Sequence, residues 1–195
     1  MPTMSKAESA LCRSGPWRLL AGRAILPWAL QGRTPTGDVL EVGGGSGAMA
    51  AQLAARYPDT RLTMTDFDEA MVRAAGERLA PFGDRVVAQR ADATALPFEA
   101  GSFDTVLSFI MLHHVIEWEQ ALTEAARVLR PNGFLLGYDL LATGPARLIH
   151  RLDGSRNRLM QLGELQSVMD RQPVDHVAVR PGLGRLVVRF SAVRR

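Results

Sequence analysis

A chain of 195 residues, 47% of them hydrophobic, is long enough to bury one core without disulfide or metal staples. Cys12 is the only cysteine, which excludes an intrachain disulfide and a thiolate-pair metal site and points to a reducing, cytoplasmic setting. The net charge of +3 is unevenly spread: residues 140–195 carry ten arginines against Asp153, Glu164, Asp170 and Asp175, a surplus of +6 that leaves −3 for residues 1–139.

In chain order, the first apolar run, Trp17 to Leu30, is interrupted by Arg18, Arg23 and Pro27 and is too short to cross a bilayer. It lacks a small-residue cleavage site after a basic start, so secretion is not expected. Residues 1–36 are expected to form a helical segment that must bury its apolar side chains, and residues 37–195 a single domain. Strands and helices then alternate: Asp38–Val42, a helix Ala48–Tyr57, Arg61–Asp66, a helix Glu69–Ala80, Arg85–Gln89, Thr105–Phe109, a helix Trp118–Leu129, and Phe134–Asp139. Hydrophobic strands joined through helices need cover on both faces, which predicts a parallel, doubly wound α/β sheet. Residues 141–163 are loosely patterned. A helix over Glu164–Arg171 and a hairpin from Val174–Arg180 and Arg185–Val193 around Pro181-Gly182-Leu183-Gly184 complete seven strands.

Chemistry gathers at successive strand ends. Val39-Leu40-Glu41-Val42 runs into Gly43-Gly44-Gly45-Ser46-Gly47 and then a helix, a turn in which missing side chains let a ligand approach backbone amides. Gly43, Gly45 and Ala48 also satisfy the dinucleotide pattern G-x-G-x-x-G/A, so a nicotinamide enzyme is an alternative at this point. Asp66, at the end of the next strand, can accept both hydroxyls of an adenosine ribose, and Asp92, past the third, can accept from an adenine amino group. Taken singly, Glu41 as a loop cap, Phe67 as core, Asp68 as a helix N-cap and Asp92 as a turn residue are equally good readings.

On Leu40-Glu41-Val42-Gly43-Gly44-Gly45-Ser46-Gly47, Thr65-Asp66-Phe67-Asp68-Glu69-Ala70-Met71, Ala91-Asp92-Ala93 with Leu96-Pro97-Phe98, Ser102-Phe103-Asp104-Thr105-Val106 and Arg127-Val128-Leu129-Arg130-Pro131-Asn132-Gly133, the chain resembles the class I S-adenosylmethionine-dependent methyltransferases. Within them it is similar to the small-molecule branch of the ubiquinone and menaquinone methyltransferases. The resemblance covers Gly37 to about Ala142, and departs in Asp68-Glu69, where the family usually shows Ser-Pro. It implies a seven-stranded Rossmann-like methyltransferase fold and S-adenosylmethionine as cofactor. It implies that Gly43, Gly45 and Gly47 face the methionine part, with Glu41 the acid before the turn. Asp66 would hold the ribose, Phe67 pack on the adenine, Asp92 take its amino group with the Ala93 amide nearby, and the Ser108 backbone lie near the methionine ammonium.

The expected activity is methyl transfer to a small-molecule acceptor, an apolar one suiting Phe109, Ile110, Met111 and Leu112. The acceptor should lie beyond the strand ends, against Phe109–His114 and Tyr138-Asp139. No catalytic residue is assigned: methyl transfer from a sulfonium needs no obligatory base, and packing or capping explains His113 and His114 as well as proton transfer does. No metal site is expected, because no third ligand is apparent. A cofactor-binding protein without catalysis is the other reading. Nucleic acid is not an expected partner, since there is no added recognition domain and no signature of base-amine methylation. For the N-terminal segment, packing on the sheet, a lid over the acceptor pocket and peripheral membrane contact are the three uses.

Overall fold

β-Branched strands alternating with alanine-rich helices close into one seven-stranded sheet of order β3-β2-β1-β4-β5-β7-β6. The structure is a computed structural model and describes residues 21–153 and 157–195. A single π-helical turn, Ala21–Ile25, leads into α1 (Leu26–Ala29). Then follow β1 (Asp38–Val42), α2 (Ala48–Arg56), β2 (Arg61–Asp66), α3 (Glu69–Leu79), β3 (Val86–Arg90), β4 (Phe103–Phe109), α4 (Trp118–Val128) and β5 (Leu129–Leu140). The chain finishes with α5 (Gly144–Asp153), α6 (Leu162–Asp170), β6 (Val174–Gly182) and β7 (Val187–Arg194). β1 to β5 are parallel, and β7 runs antiparallel between β5 and β6. This is the doubly wound sheet with a C-terminal antiparallel hairpin that the hydrophobic pattern predicts.

Alternate strand residues feed two cores. Val39, Leu107 and Leu136 pack with Leu26, Leu30, Leu53 and Leu79 under α1, α2 and α3. Leu40, Val106 and Leu135 pack with Trp118, Leu122, Leu165 and Met169 under α4 and α6. α3 starts where Asp68 accepts from the Ala70 amide at 2.8 Å, an N-cap worth about 1 kcal/mol, with Glu69 in the favourable first turn. At the amino ends of β1 and β4, Asp38 receives Arg61 Nε at 2.7 Å and Arg130 Nη2 at 2.9 Å, while Asp104 receives Arg130 Nη1 at 2.6 Å and the Asp38 amide at 2.8 Å. Arg130-Pro131-Asn132-Gly133 bulges within β5: register moves from Phe103 opposite Leu129 to Thr105 opposite Phe134, with Asn132 at φ 65°.

The described part of the N-terminal segment packs on the sheet. Leu26, Ala29 and Leu30 are buried, and Trp28 meets Tyr138 edge-on at 5.4 Å. The Arg189 guanidinium lies 4.7 Å over the Trp28 ring, and Gln31 Nε2 donates to the Phe190 carbonyl at 3.0 Å. Trp17 lies outside the described residues. The helix the sequence did not announce is α5. Its Leu148 and Leu152 are 58% and 79% exposed while Ala146 and His150 are buried, and the Gly144-Pro145 pair at its start reads as a turn. Among the described residues no helix is long and apolar enough to cross a membrane.

Candidate functional site

The glycine turn after β1 is built against two methionines and one carboxylate. A side chain on Gly43 would meet Met111 at 2.7 Å, and one on Gly44 would meet Met64 at 2.5 Å and Glu41 at 3.2 Å. Gly45, at φ 56°, differs: a Cβ there would meet nothing within 4 Å. Gly47, at φ 73°, is the N-cap of α2 and packs closely on Ala75. The turn is pinned by the Gly44 amide to the Thr65 carbonyl at 3.0 Å and by the Gly45 amide to Asp66 Oδ2 at 2.8 Å. The other oxygen of Asp66 accepts from the Asp68 amide at 2.9 Å. One carboxylate at the end of β2 thus fixes both the turn and the entry to α3.

Beside the turn, at the carboxyl ends of β1, β2 and β4, lies an open cleft. Its walls include Gly43, Asp66, Phe67, Met71, Met111 and His114. Among the described residues they carry two acids, Asp66 and Asp68, and neither lysine nor arginine. Burial pushes the Asp66 carboxyl up, against the pull of the Asp68 and Gly45 amides. Under the turn Glu41 is 1% exposed, and its Oε2 has no hydrogen-bond partner. Desolvation, followed by the charge of Asp66, pushes its carboxyl up to about 8.

The remaining expected site residues are placed as follows. Phe67 lines the cleft, with the Arg90 guanidinium 5.2 Å over its ring. Ala91 and Ala93 line it as well. Asp92 between them turns its Oδ1 to the Thr94 amide at 2.9 Å and the Thr94 hydroxyl at 2.7 Å, the side-chain turn that Asp commonly makes. Ser108 is buried in the ladder opposite Val42 and Gly137.

The expected acceptor wall needs correction. Of Phe109–His114, only Ile110, Met111 and His114 line the cleft. Phe109 stacks on Tyr138 at 5.5 Å inside the core, and Leu112 is buried, because the chain after β4 alternates inward and outward through a tight turn. Asp139 is fully buried: its Oδ2 accepts from the Leu112 amide at 2.7 Å, and its Oδ1 stands 2.5 Å from His113 Nδ1. Ile110 takes φ 51°, a conformation costing a β-branched residue on the order of 1–3 kcal/mol, held by the hydrogen bond its amide donates to the Tyr138 carbonyl at 2.8 Å. Met71 and Met64, which shape the cleft and the turn, drew no role from the sequence, because a methionine in a helix or strand reads as core.

The methyltransferase domain family matches residues 39–133, a span that holds the glycine turn, Asp66, Asp92 and the cleft walls. Over that span the chain is similar to the class I S-adenosylmethionine-dependent methyltransferases. It is 36% identical over 135 residues to the demethylmenaquinone methyltransferase of Clavibacter sepedonicus, covering 69% of this chain and 51% of that one. It is 29% identical over 202 residues to a ubiquinone/menaquinone biosynthesis C-methyltransferase of Syntrophotalea carbinolica, covering 91% and 83%. The chain therefore spans about half the length of the first of these methyltransferases and most of the second. The phosphoethanolamine N-methyltransferase 2 of Haemonchus contortus, solved with S-adenosyl-L-methionine, superposes with a TM-score of 0.75 at 19% identity, over 89% of this chain and 52% of that one, a likeness of fold.

Proposed function

We propose that this chain moves the methyl group of S-adenosylmethionine to a small-molecule acceptor. The observation that carries the reading is a strand-end cleft that joins a bare glycine turn to Asp66 and Asp68 and, among the described residues, has neither lysine nor arginine in its walls. Such walls favour a sulfonium cation and disfavour the pyrophosphate of a nicotinamide cofactor. The open space over Gly45 and the unpartnered Oε2 of buried Glu41 fit a ligand that brings backbone-facing atoms and a positive charge to the turn.

In this reading Gly43, Gly45 and Gly47 face the methionine part, and Glu41, whose carboxyl burial holds protonated in the free protein, is drawn toward ionisation beneath them when the cation binds. Asp66 holds the ribose hydroxyls while keeping the turn in place. Phe67 packs on the adenine, Asp92 receives its amino group on the oxygen not given to Thr94, and the Ala93 amide lies beside it. The Ser108 backbone, next to Val42 in the ladder, lies near the ammonium. When bound, the cofactor supplies an electrophilic methyl carbon, and the protein's part is to position and desolvate it. Ile110 and Met111 favour an apolar acceptor surface, and a cytoplasmic setting accompanies the single cysteine.

Calorimetry with S-adenosylmethionine, its demethylated product and NAD tests the cofactor, and mass spectrometry of a metabolite extract incubated with protein and cofactor tests transfer. Equal or tighter binding of NAD overturns the reading, and cofactor binding without any methylated product leaves a binding protein. Asp66→Ala is expected to lose about 1.5–3 kcal/mol of cofactor affinity, because charge-assisted hydrogen bonds disappear. An unchanged dissociation constant would remove Asp66 from the site.

A further inference from the structure

Hydrophobic side chains left in water concentrate at one end of the molecule. Of the six large hydrophobic residues exposed among the described residues, four are leucines on two elements beyond the carboxyl ends of the parallel strands. They are Leu148 and Leu152 of α5, 58% and 79% exposed, and Leu183 and Leu186 of the turn between β6 and β7, 73% and 40% exposed. Scattered singly, such residues need no explanation, but these come in pairs with arginines beside them. On α5, the exposed Arg147, Leu148, Arg151 and Leu152 fall within about 140° of the helical wheel. Ala146 and His150, on the opposite side, are buried, and the His150 ring rests 5.0 Å from that of His113.

The turn holds its leucines out on a backbone that L side chains resist. Leu183, Gly184 and Arg185 are consecutive left-handed residues, at φ 47°, 63° and 70°. The Leu186 carbonyl accepts from the Leu141 amide at 2.9 Å, just ahead of α5, so the turn and the start of the helix lie at the same end of β5. Arg180 and Arg185 flank the turn and are exposed. A side chain on Gly182 would lie 3.4 Å from the ring of half-buried Trp28, over which the Arg189 guanidinium sits. Three acids of this part of the chain are engaged elsewhere: Glu164 by Arg158, Asp175 by Arg195 and Asp170 by Gln166.

The sequence pairs Arg147-Leu148, Arg151-Leu152 and Arg185-Leu186 set a cation beside each leucine of the pair. The core of a protein interface is depleted of charge, and this surface offers no such core. A membrane interface has the matching chemistry, because apolar tips enter the headgroup layer while guanidinium groups stay with anionic phosphates. We propose that α5 and the β6–β7 turn dock this end of the molecule on an anionic phospholipid surface. None of the four leucines lines the cofactor cleft, and the inference does not rest on the methyl-transfer reading. The cleft opens at the carboxyl ends of the strands, so docking brings the end of the sheet that carries it to the lipid.

The test is sedimentation of the full chain with vesicles of phosphatidylcholine alone and of an equal mixture with phosphatidylglycerol. Binding is expected to the mixed vesicles, to be weak on phosphatidylcholine, and to fall at high salt. Leu148→Ser with Leu152→Ser, and Leu183→Ser with Leu186→Ser, should each weaken binding about tenfold or more. Arg147→Gln with Arg151→Gln should cost roughly fivefold per arginine and flatten the salt dependence. Circular dichroism melts should match the wild type, because all these side chains are exposed. If a leucine variant melts early, the arginine variant and the salt dependence carry the test. Absence of binding to the mixed vesicles overturns the proposal, and so does equal binding to phosphatidylcholine alone. Binding that survives replacement of either leucine pair in a folded protein places the attachment elsewhere in the chain and overturns it too. A dimer in light scattering that the leucine variants dissociate shows a second copy on this surface, and the membrane proposal then fails.

Discussion

At the scale of single residues, Glu41 is an acid placed where its charge is unwelcome. Its ordinary value of 4.5 is raised to about 8 by burial and by Asp66. A raised acid binds its proton more tightly in the folded state, so its contribution to stability is greatest below pH 4.5 and is lost as pH rises toward 8. Each pKa unit corresponds to about 1.4 kcal/mol, so between pH 5 and pH 8 the loss is about 3–4 kcal/mol. Glu41→Gln cannot titrate and should flatten that slope; urea unfolding of both proteins at pH 5, 6.5 and 8 measures it. A stability difference between the two that does not change with pH would show that Glu41 is already ionised in the fold.

The glycines divide in the same way between ligand space and packing space. Gly45→Val places its side chain where no protein atom lies, at a strain on the order of 1–2 kcal/mol for positive φ, and should give a folded protein that no longer binds cofactor. Gly44→Val drives into Met64 and Glu41, and should lower the melting temperature sharply. Circular dichroism melts beside calorimetry distinguish them, and a Gly45→Val that unfolds like Gly44→Val would make that turn structural first.

At the scale of elements, the decisive piece is α1. With Leu26, Ala29 and Leu30 inside the core, deleting residues 1–30 removes side chains whose individual loss costs about 2–5 kcal/mol for a leucine, so that truncation should aggregate or melt early. Deleting residues 1–20 leaves α1 intact. A lid role for those residues predicts that cofactor affinity is kept and transfer to the acceptor is lost. Normal turnover in that truncation would turn attention to partner or membrane contact.

The same elements show what the sequence makes legible. Strands β1 and β4 carry the apolar pairs Val39-Leu40 and Val106-Leu107 because both faces of the central parallel sheet are buried, β2 alternates Leu62 and Met64 with threonines, and the three end at Gly43, Asp66 and the chain reversal after Phe109. α5 was hidden by the Gly144-Pro145 pair at its start, which reads as a turn. The glycine turn and Asp66 were legible because their spacing follows from one strand, one turn and one helix. The partnership of Asp139 with His113 was not, since it joins β5 to a turn 26 residues earlier and no local pattern encodes which buried acid meets which ring.

At the scale of the whole molecule, charge and topology divide the chain at about the same place. The parallel half bears the acids of the cleft, while the arginine-rich remainder builds α5, α6 and the antiparallel edge. In that edge β6 precedes β7 in the chain yet lies outside it, and touches the sheet only through it. β6 has nothing to pair with until β7 has folded back beside it, so the two must join β5 as a hairpin or in reverse of their chain order. The pairing of Leu140 with Val187 and of Phe134 with Val193 spans a long stretch of sequence, the kind of contact that forms late. Until it forms, the hydrogen-bonding edge of β5 is bare and flanked by Leu136 and Tyr138, and during that interval the folding chain is most open to strand exchange with another copy of itself.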